Sequence, residues 1–389
     1  MMTELNWETL AQRPGFVLRR SGRFLVANLL VPHNVSSTSV RNGGYNQRAR
    51  HLLNHQSCEG AAHHARHRVM TETGLEHYHD EVCAEASLPS DATVMMGTAA
   101  NMNYAALVAT DDDGIEVVAV VTAGVEGNAT CAGDPASWRE TTAGIQKVHA
   151  YAGTINTILL INAPLTASAL ARVVVTMTEG KSAALARLAI PSRQSTDLAT
   201  GTGTDQYCIA APAAGLRQLT SASTHMKLGE LIGVASRDAT LEALRWQNGL
   251  EASFTRGVFH ALGRYGLREA TFFEDIAGLL DDEDLELLRK NSKSVLFEPL
   301  VGAAAYAIAT VLDRVRHGTL PASIARDAIV QQAATLATSL AGHPDRWPEF
   351  RSVLHECGPG PLEPGDLGEV RNIVLAAIAL GWREKWRSR

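Results

Sequence analysis

The sequence predicts an α+β fold: a mixed β-sheet with flanking helices over residues 1–248, then an all-helical region over 249–389. Three observations carry this. Apolar, β-branched runs of strand length recur at 23–31, 115–122, 154–162 and 206–211, and branched side chains suit a pleated, buried surface. Helical apolar spacing over 166–188 lies between two of those runs, giving a strand–helix–strand unit. After His225 the composition shifts to helical periodicity broken by Gly and Pro clusters.

In chain order, residues 23–31 (RFLVANLLV) read as a buried strand, followed by the paired glycines of RNGGYN at 41–46. Residues 54–85 are polar, poor in aliphatics and rich in histidine, as in a helix over a site or an insertion. Residues 93–97 and 103–110 read as extended, and DDDG at 111–114 turns the chain into IEVVAVVT at 115–122, an antiparallel hairpin. Thr166 is placed to cap the following helix. Beyond it, 228–250, 256–262, 284–317, 324–340 and 368–382 favour helix.

A chain of 389 residues with 46% hydrophobic and 20% charged residues can bury a sizeable core. Its net charge of -6 argues against nucleic acid as a partner, since phosphate backbones are held by clustered Lys and Arg. A small organic molecule is the expected partner. No apolar stretch approaches the ~20 residues of a membrane span and no leader pattern opens the chain, so the expected location is cytoplasmic, away from the membrane. Cys58, Cys83, Cys131, Cys208 and Cys357 form no CxxC pair and read as reduced thiols.

Three runs of Gly, Thr and Asn stand at strand ends: TAGVEGN at 122–128, GTINT at 153–157 and GTGTD at 201–205. Glycine permits sharp turns and close backbone approach, while Thr, Asn and Asp add hydrogen-bonding groups at the same place. One such turn is a loop with local caps; three on buried strands suggest a built site.

In order, NGG at Asn42, ANMNYAAL at Ala100, TAGVEGNATCAGD at Thr122, GTINTILLIN at Gly153, TEGKSAAL at Thr178, GTGTD at Gly201 and THMKLGELIG at Thr224 resemble the adenosylcobinamide amidohydrolase family over roughly the first 240 residues. The resemblance implies hydrolysis of the amide between the aminopropanol arm and the corrin ring, yielding adenosylcobyric acid in coenzyme B12 salvage. It also implies substrate contacts from Asn42, Gly43, Gly44, Asn101, Asn103, Gly124, Gly153, Gly201, Thr202, Gly203 and Thr204, and it singles out Glu179, Lys181, Asp134 and Asp205. The residues alone give a polar, weakly charged pocket suited to a neutral, amide-rich ligand.

Amide hydrolysis needs a nucleophile, a proton carrier and oxyanion donors. Asn101, Asn103, Asn128 and Asn156 are candidate donors, Thr154, Thr202 and Thr204 candidate hydroxyl nucleophiles with Thr154 first, Asp205 a candidate proton acceptor or Asx turn, and His225 a candidate base at a loop–helix junction. Glu179 and Lys181, two apart on a helix, do not share a face, whereas Lys227 and Glu230 do.

Seven of the 14 histidines fall between His51 and His79. His51/His55 and His63/His67 have the i,i+4 spacing that puts two imidazoles on one helix face, and His77/His79 form an HxH pair suited to an extended segment. His63, His67, His77 and His79 are therefore candidate ligands for a divalent metal, zinc first. Two alternatives to the corrinoid amidohydrolase stay open: a metal-dependent hydrolase of another amide, and a corrinoid-binding protein without catalysis. The helical region, with small apolar runs at 303–309 and 373–380, reads as a packing or homo-oligomerisation module, or a cap for a large ligand face.

Overall fold

The computed structural model describes residues 5–57, 70, 72–142, 144–147, 153–357 and 367–387. It forms two compact units, Met1–Gln194 with Leu198–Gly249, and Ser195–Asp197 with Leu250–Arg389.

The first unit carries β1 (Glu8–Arg13), β2 (Phe16–Ser21), β3 (Phe24–Leu29), β4 (His33–Ser37), β5 (Gly44–Asn46), β6 (His51–Gln56), β7 (Thr93–Thr98), β8 (Ala106–Asp112) and β9 (Ile115–Ala123). There follow β10 (Ala129–Thr130), β11 (Trp138–Thr141), β12 (Gly144–Lys147), β13 (Ile155–Ile161), β14 (Gly201–Thr202) and β15 (Gln206–Pro212). Its long helices are α1 (Leu75–Glu85), α2 (Ala167–Arg187) and α3 (Lys227–Asn248).

The strands make two main sheets, a five-stranded one in the order β1-β2-β3-β6-β7 and a six-stranded one in the order β5-β4-β15-β13-β9-β8. They stack face to face. Leu18, Leu25, Leu52, Val94 and Met96 of one sheet share a core with Val118, Val120, Ile158, Leu160 and Cys208 of the other. Tyr78, Val82 and Cys83 of α1 pack with Phe24, Val26 and Leu53 on the far face of the five-stranded sheet, and α3 lies on β8 and β9. Burial on both faces explains why β9 and β13 read as continuous apolar runs rather than alternating ones.

Local chemistry sets the connections. β13 and β15 are parallel, joined through α2, whose first turn is capped by Thr166 accepting from Ala169 N at 3.2 Å. Asp113 and Gly114, both at positive φ, close the tight hairpin between β8 and β9. The β portion forms two sheets, and β1 and β2 gave no strand signal because charges, the exposed Arg19 and the half-buried Arg20 among them, break the apolar pattern.

In the second unit, α4 (Asp282–Leu296), α5 (Pro299–Arg316), α6 (Ala322–Ala341), α7 (Trp347–Glu356) and α8 (Leu367–Arg387) surround a core with Phe272, Phe350 and Trp382 at its centre. The single helix predicted over 284–317 is broken, because Pro299 opens a new helix whose first amides are capped by Glu298. Small residues let α6 and α8 approach closely: a Cβ on Gly381 would stand 2.5 Å from Ala337 O. Among the described residues, no single helix is long and apolar enough to cross a membrane.

Candidate active site

The three Gly-, Thr- and Asn-rich runs converge on one end of the six-stranded sheet. β9 runs antiparallel to β13, so TAGVEGN leaves β9 where GTINT enters β13, and GTGTD enters the parallel neighbour β15 at the same end. Gly153 makes the closest join, its φ of 147° and its position leaving no room for a Cβ, which would sit 2.8 Å from Gly124 O.

Register then places Thr122, Asn156 and Gln206 in one row across β9, β13 and β15. The next row inward is Val120, Ile158 and Cys208, part of the apolar core. Since side chains alternate along a strand, the polar row also faces the sandwich interior, where it meets Asn54 of β6 and the Gly97 carbonyl of β7. Asn54 Nδ2 donates to Thr122 Oγ1 (2.8 Å), and Asn156 Nδ2 donates to Asn54 Oδ1 (2.9 Å) and Gly97 O (3.1 Å). Gln206 is held more loosely, by two contacts of 3.4 Å to the Gly97 carbonyl and amide.

Asp205 is the anchor of the GTGTD turn. Its Oδ1 accepts from Ile155 N (3.1 Å) and Thr202 Oγ1 (2.5 Å), and its Oδ2 from Thr202 N (3.1 Å) and from Lys181 Nζ in a short ion pair. Gly201 makes room for that pair, since a Cβ there would lie 2.6 Å from Lys181 Nζ. With four donors on its two oxygens, Asp205 is committed to holding loops together. Asp134 is likewise occupied, accepting from Cys131 N (2.7 Å) and Ser192 Oγ (2.6 Å).

Nearer the surface, Thr204 Oγ1 donates to Gly153 O (2.8 Å) and lies 2.8 Å from Thr154 Oγ1. Asn128 Nδ2 donates to Gly153 O (3.0 Å) and to Thr204 Oγ1 (3.3 Å). With the Thr204 proton on the Gly153 carbonyl, Thr154 donates to Thr204 and keeps its own lone pairs for a ligand.

Beside this network opens a cavity of about 410 Å³. Gly97, Thr98, Thr154, Thr204 and Gln206 form its polar side, and Met95, Tyr78 and Leu75 are among its apolar lining. Leu75 and Val40 at its rim are 49% and 61% exposed, apolar surface turned to solvent. The cavity also meets His79, which is buried on α1 with Nε2 3.1 Å from Ser90 O. Burial holds the His79 ring below the ordinary histidine pKa, against the opposing effect of the Ser90 carbonyl.

The other predicted residues are distributed differently. Asn42, at a φ of 59°, donates to Ser90 O (2.7 Å) and Thr93 O (2.9 Å), so NGG pins the β4–β5 connection, with Gly43 and Gly44 completing the turn. Asn101 caps a short helical turn through Asn103 N (2.9 Å), and Asn103 is exposed. Gly203 packs against Asn128. Glu179 faces solvent on α2, and next to it Gly180 carries the close contact with α3. His225 is exposed and precedes α3, whose other end, Gln247 and Asn248, receives the Asn101 and Val125 amides. A 22-residue helix spans ~33 Å, so His225 belongs to the opposite end of the sheet and is not brought to the cavity.

The histidines are also redistributed. His51 and His55 lie on strand β6, not on a helix, and a step of four residues along the strand sets them ~13 Å apart, too far for one ion. His77 and His79 lie on helix α1, where i,i+2 side chains diverge: His77 is exposed and 3.2 Å from Glu81, while His79 is buried on Ser90. They do not form a ligand pair. Among the described residues no group of three His, Cys, Asp or Glu side chains converges as a metal site, and His63 and His67 lie outside the described residues.

A family model described as CbiZ, adenosylcobinamide amidohydrolase, matches residues 10–252. The chain belongs to the adenosylcobinamide amidohydrolase family. Every residue of the polar row and cavity falls within the part that matches the family. The family is one of amidohydrolases and implies a corrinoid small-molecule substrate. The Uncharacterized protein MJ1613 of Methanocaldococcus jannaschii is 33% identical over 183 residues, covering 45% of this chain and 71% of that protein. The crystal structure of the PH0078 protein from Pyrococcus horikoshii OT3 covers 62% of this chain and 83% of its own, at 14% identity and a TM-score of 0.29.

Sequence reasoning missed Asn54, Thr98, Gln206 and Tyr78 within this candidate site. Gln206 had a signal: a polar residue in phase with Cys208 and Ala210, on the core face of a buried strand. Asn54 had the same signal, in phase with Leu52.

Proposed function

We propose that this protein hydrolyses the amide joining the aminopropanol arm to the corrin ring of adenosylcobinamide, at the cavity beside Thr154, Thr204 and Gln206. The observation that carries this reading is the meeting of the three family runs at one end of the sheet, where two of them, through Gly153, Thr154 and Thr204, line a small cavity whose polar side is amide and hydroxyl rather than charge. About 410 Å³ is at the small end of ligand pockets and suits one amide arm, not a corrin ring. The exposed apolar rim of Val40 and Leu75 suits the edge of a ring that stays outside.

Within this reading Gln206 is the oxyanion donor. Its two contacts of 3.4 Å are long, so re-aiming its amide at a substrate oxygen costs little. Thr154 accepts a hydrogen bond from water or from the arm. It serves poorly as a nucleophile, because the hydroxyl beside it is Thr204 and not a base. Water is the attacking group. Asp205 and Lys181 hold the GTGTD turn in place.

Incubation with adenosylcobinamide followed by mass spectrometry tests the proposal: release of 1-amino-2-propanol and adenosylcobyric acid is the expected result, and stoichiometric binding with intact adenosylcobinamide recovered would replace it with a carrier role. Metal analysis and chelation of the same preparation decide zinc: activity lost on chelation and restored by zinc assigns it a role, and full activity in metal-free protein removes it.

A further inference from the structure

We infer that His79 is the general base that activates water in this cavity, and that Asn42 positions it. The inference rests on the hydrolytic reading above and adds the proton carrier that the Gly-, Thr- and Asn-rich runs do not supply.

His79 lines the same cavity as Thr154, Thr204 and Gln206, on the wall formed by α1. Its Nε2 lies 3.1 Å from Ser90 O. A carbonyl oxygen only accepts, so Nε2 carries the hydrogen, and in the neutral ring Nδ1 is left with the lone pair. The ring is neutral near pH 7 because burial disfavours its charged form. A buried neutral imidazole with a fixed tautomer, at the wall of a hydroxyl- and amide-lined cavity, has the form general-base catalysis requires.

Its anchor is itself anchored. The Ser90 carbonyl that receives His79 Nε2 also receives Asn42 Nδ2 at 2.7 Å, and the same Asn42 nitrogen reaches Thr93 O at 2.9 Å. Asn42 thus ties the 90–93 segment to the NGG turn and fixes the acceptor that sets the His79 tautomer. This gives the first of the family runs a task, although Asn42 is not among the residues lining the cavity.

The charged and titratable groups around His79 are few. Asp80 follows it and pairs with Arg41 at 2.7 Å, and the two act on the ring with opposite sign. Cys83 lies one turn along α1, with a thiol pushed up to about 11 by burial, so it stays neutral through the working range. Tyr78 precedes His79 and turns its hydroxyl to His55, 3.2 Å from Nδ1.

The step balances without a co-reactant. His79 Nδ1 takes a proton from water as the water oxygen bonds to the amide carbon, and the imidazolium returns that proton to the nitrogen as the carbon–nitrogen bond breaks. One water is consumed; the acid and the amine formed exchange the second water proton, and the products leave as carboxylate and ammonium.

The test is His79→Gln, because a glutamine Nε2 can keep the hydrogen bond to Ser90 O while removing the base. Activity of the full chain on adenosylcobinamide is followed from pH 5 to 9 by aminopropanol release, with thermal unfolding in parallel. The inference expects kcat to fall at least 100-fold, KM and Tm to stay near wild type, and the wild-type loss of rate at low pH to disappear from the residual activity. Imidazole added to His79→Ala should restore part of the rate. Asn42→Gly, which suits the positive φ, should lower kcat by a smaller factor at unchanged KM. His79→Gln with wild-type kcat and an unchanged acid limb would overturn the inference while leaving the hydrolytic reading intact. Wild-type protein that releases no aminopropanol would overturn the reading itself.

Discussion

The two ends of the six-stranded sheet carry the same kinds of residue and do different things with them. At one end Thr122, Asn156, Asp205 and Lys181 are buried or half-buried and bound inside the protein, Thr122 and Asn156 through Asn54 of β6 and Asp205 to Lys181 of α2. At the other, Asn162 caps the β8–β9 turn through Gly114 O, Lys227 pairs with Glu230 in solvent, and His225 is exposed. Residue type is shared; burial and mutual bonding are not. Polar groups taken out of water and paired inside the protein cost more to lose and hold a more defined geometry than the same groups at the surface, and the cavity described above lies at the buried end.

The comparison breaks first at Asp205. Asp205→Ala strips the acceptor from Lys181, Thr202 and Ile155 N and leaves a mostly buried cation, which should cost about 3 kcal/mol in a urea titration; a loss under about 0.5 kcal/mol would mean that the turn holds without its anchor. Asn156→Ala leaves Asn54 Oδ1 without its donor and should cost about 2 kcal/mol by the same measurement, with the shape of the cavity wall disturbed and activity reduced.

His55 adds a pH signature at the buried end. It stacks on Phe24 and is fully buried, and burial pushes its pKa down to about 3. The unfolded chain, with an ordinary histidine, binds the proton first as pH falls. Stability is therefore fully present above about pH 6.5 and declines as pH drops towards 3, by roughly 2 kcal/mol between pH 6.5 and 5. His55→Phe should flatten that part of the Tm-against-pH curve, and an unchanged slope would move the acid sensitivity elsewhere. The smallest effect belongs to the exposed end: His225→Ala should leave kcat, KM and Tm at wild-type values, and a large loss of kcat would bring that end back into the chemistry.

Much of this was legible in the sequence. The hairpin at DDDG, the capped helix after Thr166 and the parallel pair β13 and β15 follow from turn chemistry and periodicity. The three runs were readable as strand ends, but their meeting at one end depends on β9 running antiparallel to β13, a pairing that spacing alone does not fix. The roles of Asp205 and His79 were not legible either. A carboxylate that anchors a turn and one that moves a proton have the same local sequence; four donors on Asp205 distinguish them. His77 and His79 read as a pair only while their segment was taken as extended, and helix α1 separates them.

The central claim is that the cavity beside Thr154 and Gln206 is where the amide is bound, and Gly97 offers the most direct test. It lines the cavity, and a Cβ built on it meets nothing within 4 Å, so Gly97→Leu fills the space without a steric clash at its first atom. The measurement is adenosylcobinamide hydrolysis by Gly97→Leu beside its thermal unfolding. A folded protein with a near wild-type Tm and no aminopropanol release is the expected result; a folded Gly97→Leu that hydrolyses at the wild-type rate would contradict it.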